Sequence, residues 1–290
     1  MIEIKRYKIN NNNLILSCAI GYTWDKLKIF VKSLRKISND RVIFIVNNSL
    51  DKITKDKLFF YNIECFNYKN KSSKKKINVK NQVKGIAQVR YELYEHVLKN
   101  LIIRPKKILF TDSRDVVFQS NIFNHNFKKP LNFFFEKEKI LNDPRNKRWL
   151  IRTVGIEEFE KIKNRNISCS GTTLGNYKEI LRYAILMKTN LRLFPYKKPI
   201  RHIITFKTMD TGFDQGIHNY LVHNNFFENK ECHENDYSKI CTTAYMKRFK
   251  FNLSKQLINK KGQVYSIIHQ YDRCYKKNGS PIFDFEKIYE

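Results

Sequence analysis

The segment Thr111-Asp112-Ser113-Arg114-Asp115 follows directly on the apolar run Ile108-Leu109-Phe110, so two carboxylates stand where a strand should end. Hard oxygen donors in that place suit Mg²⁺ or Mn²⁺, ions commonly held by one or two carboxylates together with substrate phosphates. An Asp at a strand end also caps helices, and Arg114 also pairs with a neighbouring acid, so the motif alone leaves ligand binding and a structural role both open. Three further segments carry polar and small residues that an ordinary core would not need. Ile167 to Gly175, with Ser170 and Gly171 at its centre, reads as a small-residue loop opening a helix at Asn176, suited to close backbone approach to a ligand. Asp214 and Gln215 fall at a helix start inside Thr211 to Tyr220. A late strand ends in His269-Gln270-Tyr271-Asp272, where the imidazole is either a metal ligand or a hydrogen-bonded structural histidine.

The elements that must position these residues are read from hydrophobic period. Leu14 to Ile20 is a continuous apolar run ended by Gly21, and Leu27, Phe30, Val31 and Leu34 then follow helical spacing. Arg41 to Val46 reads as a second buried strand, Asp51 to Tyr61 as a short helix and Ile63 to Phe66 as a third strand. Gly85 to Asn100 is helical by the spacing of Val89, Leu93 and Val97. Lys107 to Thr111 and Leu131 to Phe135 are strands, and Val154 to Asn164, Asn176 to Met187 and Asp214 to His223 are helices. Strands alternating with helices predict an α/β fold, a mostly parallel sheet flanked by helices, whose ligands bind beyond the carboxyl ends of the strands. No repeat and no linker breaks the pattern, so residues 1 to 290 are expected to form one domain with a basic tail.

Composition narrows the function classes. With 290 residues and a hydrophobic fraction of 42%, the chain can bury a sizeable core and needs no disulfide or metal staple to do so. Six cysteines without a CxxC pair are expected to be reduced structural thiols. The longest apolar runs fall short of the roughly 20 residues that a spanning helix needs. Met1 to Asn13 is too polar for a secretory signal, so a soluble, cytoplasmic chain is expected. Lys and Arg total 56 against 27 acids, a net charge of +29. That excess raises the alternative of a basic nucleic-acid-binding protein, but the lysines spread along the whole chain with much Asn and Ile, the residue bias of an AT-rich genome, bacterial or of a large DNA virus. Tyr68 to Lys84, with Lys74-Lys75-Lys76, reads as a solvated basic loop, with an anion site as the other reading.

Taken in order, these residues resemble the nucleotide-diphospho-sugar glycosyltransferases of the GT-A fold. The resemblance is carried by Ala19 to Trp24, Val89-Arg90-Tyr91, Asp112 to Gln119, Cys169 to Thr172 with Gly175, Asp214 to Asn219, and His269 to Asp272, and it runs over most of the chain. It implies a single GT-A domain with a nucleotide-binding half near residues 12 to 120 and an acceptor and catalytic half near 121 to 275. The implied donor is a nucleotide-diphosphate sugar, UDP-linked by preference. The implied acceptor is a glycan, protein or lipid-linked sugar hydroxyl, with retention of configuration and no stable nucleic-acid partner. Asp115 and His269 are implied metal ligands, and Asp112 either joins them or contacts ribose or metal-bound water; the first acidic position falls on Asp112 or Ser113 according to register. An imidazole ligand favours Mn²⁺ over Mg²⁺. Ala19, Gly21 and Tyr22 resemble the loop that receives the base, Arg90 and Arg114 the cations near the diphosphate, and Ser170 and Gly171 the loop beneath the transferred sugar. Arg90 has a second reading as a helix-surface ion pair. Asp214 and Gln215 resemble the acidic position at the catalytic centre. A sugar-nucleotide nucleotidyltransferase is a further alternative, but Ala19 to Trp24 lacks the basic residue that its phosphate loop would want. The charge excess is expected to favour an anionic membrane face or an acidic glycan acceptor.

Overall fold

The computed structural model describes residues 10–47, 50–68, 86–193, 212–275 and 281–289. The basic segment around Lys74-Lys75-Lys76 lies outside them. Strand β1 (Asn10–Cys18) is followed by helix α1 (Trp24–Ile37), β2 (Asp40–Asn47), α2 (Lys52–Phe60), β3 (Glu64–Tyr68), α3 (Ile86–Lys99) and β4 (Lys107–Thr111). Then come β5 (Val116–Phe118), β6 (Leu131–Lys139), α4 (Pro144–Val154), α5 (Ile156–Ile162), β7 (Asn166–Asn176), α6 (Tyr177–Leu193) and α7 (Phe213–His223). Short strands β8 (Lys230–His233), β9 (Ile240–Thr242), β10 (Lys250–Phe251), β11 (Leu257–Ile258) and β12 (Ile267–His269) precede the last helical turn, α8 (Phe285–Ile288).

The main sheet has the order β3-β2-β1-β4-β7-β6-β8, and β7 alone runs against the rest. The fold is thus α/β with a mostly parallel central sheet, as the alternation predicts. Side chains on a strand point alternately to its two faces, and the two cores follow that period. Leu14, Leu16, Ile108 and Phe110 pack on one side with Tyr91 and Tyr94 of α3 and Tyr183 and Met187 of α6. Ile15, Phe44 and Leu109 pack on the other side with Leu27, Phe30, Val31 and Leu34 of α1. A buried Arg35 locks α1 to the sheet by donating to the carbonyls of Tyr61, Ser38, Asp40 and Asn62 at 2.8–3.2 Å.

One expectation is corrected. Ile167 to Gly175 is not a loop but the body of β7, an 11-residue strand paired on both sides, with α6 beginning just after it at Tyr177. Its small residues reflect crowding rather than turning. A Cβ at Gly175 would lie 2.6 Å from the Pro130 carbonyl oxygen, and one at Gly171 would lie 2.5 Å from His269 Cε1. The helix expected from Val154 to Asn164 is also redrawn: α4 ends at Val154, Gly155 turns the chain at φ +94°, and α5 starts afresh. A second, three-stranded sheet of order β5-β12-β9 stands beside the carboxyl end of β4 and brings the late histidine there. Among the described residues, no helix is long and apolar enough to cross a membrane.

Candidate metal and nucleotide site

Asp112 to Asp115 form the four-residue step between β4, in the main sheet, and β5, in the small one. Because β5 pairs with β12 in the register His269↔Val116, the imidazole falls beside Asp115, and Gln270 N–H closes the corner on Asp115 O at 2.8 Å. Because β7 is antiparallel, its early residues reach beyond the end of β4, and Asp112 N–H donates to Gly171 O at 2.9 Å. Three strands from two sheets therefore converge on one point. His269 Nε2 lies 3.4 Å from Asp112 Oδ2 and 3.7 Å from Asp115 Oδ1, and one ligand atom from each of the three residues falls within 4.8 Å of the others. Ser113 is buried and its hydroxyl donates to Cys18 O at 3.1 Å, so Asp112 rather than Ser113 meets the histidine.

The donor set fits a divalent ion. His269 is fully buried and its Nε2 has no aligned hydrogen-bond partner, although it faces two carboxylates. Cis ligands around an octahedral ion at about 2.1 Å stand about 3 Å apart, so small rotations of these side chains suffice to close the set. The other ring nitrogen, Nδ1, lies 3.5 Å from Cys169 Sγ, which fixes the ring plane. Burial works to raise the Asp112 carboxyl, but His269 and Arg90 overcome it and hold it below the usual range. Burial raises Asp115, with His269 opposing and the Asp112 charge adding.

Arg90 is not a surface ion pair. From α3 it donates to Asp112 Oδ1 at 2.8 Å, to Asp214 Oδ2 at 2.5 Å, and to Ser170 O and Oγ at 3.2 Å, with only 11% of its side chain exposed. It thus ties the β4 end, β7 and the first turn of α7 together. Burial raises the Asp214 carboxyl, with Arg90 opposing. Gln215 is committed to backbone: Oε1 accepts from Ser170 N–H at 2.9 Å and Nε2 donates to Ser168 O at 2.5 Å. It positions β7. Arg114 donates to Asp272 Oδ2 at 2.5 Å and to Asp115 Oδ2 at 3.2 Å, which holds Asp115 in place.

These residues line a cavity of about 510 Å³, together with Cys18, Ile20 and Tyr22 from the end of β1. Arg90, Asp112, Arg114, Asp115, Ser170, Gly171, Asp214 and Gln215 all reach it. Three sequence-predicted residues do not: Ala19, Gly21 and His269, the last fully buried beside Asp112 and Asp115. Ala19 is fully buried in the core beneath the sheet end, its N–H spent on Ile45 O, and Gly21 serves as a turn at φ +80° with open space around it. The apolar surroundings of Ala19 leave it nothing to offer a ligand.

The rest of the wall escapes the sequence reading. Glu136, Arg145, Asn146, Trp149, Tyr245 and Arg273 line it. Glu136 sits one residue beyond the apolar run of β6; it is buried, and burial pushes its carboxyl up to about 6. Arg145, Asn146 and Trp149 ride on α4, whose start was legible: Asp143 caps it by accepting from Asn146 N–H at 2.7 Å, and Pro144 occupies the first turn. No protein-family model and no curated protein matches the chain.

Proposed function

We propose that the chain is a metal-dependent glycosyltransferase of the GT-A type that moves a sugar from a nucleotide-diphosphate donor, UDP-linked by preference, to a hydroxyl acceptor. The observation that carries this reading is the Asp112, Asp115 and His269 cluster, with ligand atoms within 4.8 Å, whose two carboxylates line a cavity at the carboxyl edge of a mostly parallel sheet. Those three residues would hold the ion, and the imidazole favours Mn²⁺. When bound, such an ion neutralises charge on a diphosphate leaving group. Tyr22 and Ile20 offer the base a half-buried edge at the end of β1. Arg90 stations one permanent positive charge between Asp112 and Asp214, and the buried, guanidinium-paired Asp214 carboxylate is the group suited to face positive charge developing on a sugar ring. Gln215 holds Ser170 and Gly171 so that β7 presents backbone rather than bulk to the sugar. The nucleic-acid alternative gives no role to the carboxylates of Asp112, Asp115 and Asp214 that converge on the cavity beside His269 and Arg90.

Thermal-shift measurement against UDP-, GDP- and CMP-sugars with and without Mn²⁺ tests the reading. A metal-dependent rise in Tm with a UDP-sugar, lost in Asp115→Ala, is expected. No response to any nucleotide sugar, or an undiminished response in Asp115→Ala, overturns it. The retaining course that the resemblance implies is read from the anomeric configuration of the product.

A further inference from the structure

The cavity has a second end that the donor chemistry above leaves unused, built by Arg145 and Trp149 of α4, Tyr245 after β9 and Arg273 after β12. It hangs from the candidate metal site: Thr243 N–H donates to His269 O at 3.0 Å, and two residues on, Tyr245 O–H donates to Asp143 Oδ2 at 2.6 Å. Arg145 donates to the Tyr245 hydroxyl at 3.3 Å and approaches Asp143 only at 3.5 Å; Arg273 approaches Asp115 only at 3.7 Å. The contrast with Arg41 is instructive, since that side chain takes both oxygens of Glu64 at 2.7 Å. Neither cavity arginine has such a two-pronged partner among the described residues, and their side chains are 53% and 44% exposed. A planar guanidinium with its fork unfilled is made for a carboxylate or phosphate. Glu136 is the further carboxyl that lines this part of the cavity, beside the Asp143 and Asp115 that the two guanidiniums approach without a two-pronged bond. Trp149 supplies an apolar plane. Gly212 is bare beneath it, since a Cβ there would lie 2.2 Å from the indole ring.

We propose that this end of the cavity binds the acceptor, and that the acceptor is a sugar bearing an anionic group, gripped by Arg145 and Arg273 with its ring on Trp149. The inference rests on the glycosyltransferase reading and names its acceptor class. The test is saturation-transfer NMR on the full chain with glucuronic acid, glucose 6-phosphate and glucose, each alone and with UDP and Mn²⁺. At least one charged sugar should bind about tenfold or more tightly than glucose, the worth of a charge-assisted hydrogen bond, and comparing the two acids says which anion is read. Arg145→Ala and Arg273→Ala should each bring that sugar to the glucose level, Arg145→Ala should leave the UDP–Mn²⁺ thermal shift unchanged, and Arg145→Lys should fall between. UDP–Mn²⁺ should not displace it. Equal binding of neutral and charged sugars, or arginine variants without effect, overturns the proposal. So does displacement by UDP–Mn²⁺, which assigns these guanidiniums to the donor. Arginine-dependent sugar binding with no UDP–Mn²⁺ response supports the anion subsite and sinks the donor reading instead.

Discussion

Gly171→Ala isolates the link between strand packing and the candidate metal site. The added Cβ would lie 2.5 Å from His269 Cε1, 2.7 Å from Asp112 Oδ2 and 2.9 Å from His269 Nε2. To reach 3.4 Å, where ordinary contact begins, the ring edge would have to retreat about 0.9 Å. The ring has little room to do so. His269 is fully buried, its Nδ1 side abuts Cys169, and its backbone is fixed in β12 between β5 and β9 and by the Thr243 N–H. Forcing a methyl into such a site costs about 1–3 kcal/mol, or roughly 2–4 °C of Tm per kcal/mol in a chain of this size. The larger effect falls on ligation, because two of the three crowded atoms are prospective ligands. A displacement of that size should weaken Mn²⁺ by about 10–100-fold, as loss of a supporting contact does in metal sites.

Calorimetric Mn²⁺ titration of wild type and Gly171→Ala checks the ligation, and denaturant unfolding without metal checks the stability. Gly21→Ala is the control. Unlike Gly171, that residue has positive φ, +80°, but its Cβ would meet nothing within 4 Å, so the variant should lose about 1 kcal/mol of stability through backbone strain and keep its Mn²⁺ affinity. If Gly171→Ala binds Mn²⁺ within twofold of wild type and unfolds at the same denaturant concentration, the crowding at β7 does not hold the ligands and the reasoning is wrong.

Three other outcomes are expected. Arg90→Met should destabilise by about 3–5 kcal/mol, because it strands the buried Asp214 carboxylate without its partner, and Arg90→Met with Asp214→Leu should recover most of the loss in a double-mutant cycle. Glu136→Gln should change the pH dependence of stability: the folded carboxyl is raised from 4.5 to about 6, so its protonation favours folding below pH 4.5 and that contribution is lost as pH rises through 6. The variant should lack this decline and gain up to about 2 kcal/mol at pH 7.5, seen as a wild-type minus variant difference in urea midpoints. Gln215→Leu should cost about 2–4 kcal/mol by leaving Ser170 N–H and Ser168 O without partners, and hydrogen exchange at the Ser170 amide should rise more than at the neighbouring Leu174.

The parts of the fold that were legible are those in which one residue's type settles its own place. Lys107 to Thr111 is a strand with those bounds because its apolar run has no polar face to expose, and the acids after it had to fall at a sheet edge. Small size is different, because a glycine or serine is required both where the chain turns and where something else comes too close. Gly171 and Gly175 read as a loop by the first logic and belong to the second, and the tightest contacts that say so come from afar: His269 and Asp112 at Gly171 and Pro130 at Gly175, up to 98 residues away. Pairing suffers likewise. The acids of Arg90 lie 22 and 124 positions along the chain, so an intrahelical surface pair and a buried bridge look alike until α3, β4 and α7 are packed. Helix α4 shows the opposite failure. Its Asp143-Pro144 start is a local signal, but Arg145 to Arg148 is wholly polar, which leaves the apolar stripe to Trp149, Leu150, Ile151 and Val154, too short a run to read as a period. Leu150, Ile151 and Val154 pack into a small core with Phe159 and Ile162 while Arg145, Asn146 and Trp149 line the cavity, so the polar first turn that faces the site is the part that a search for apolar stripes is least able to find.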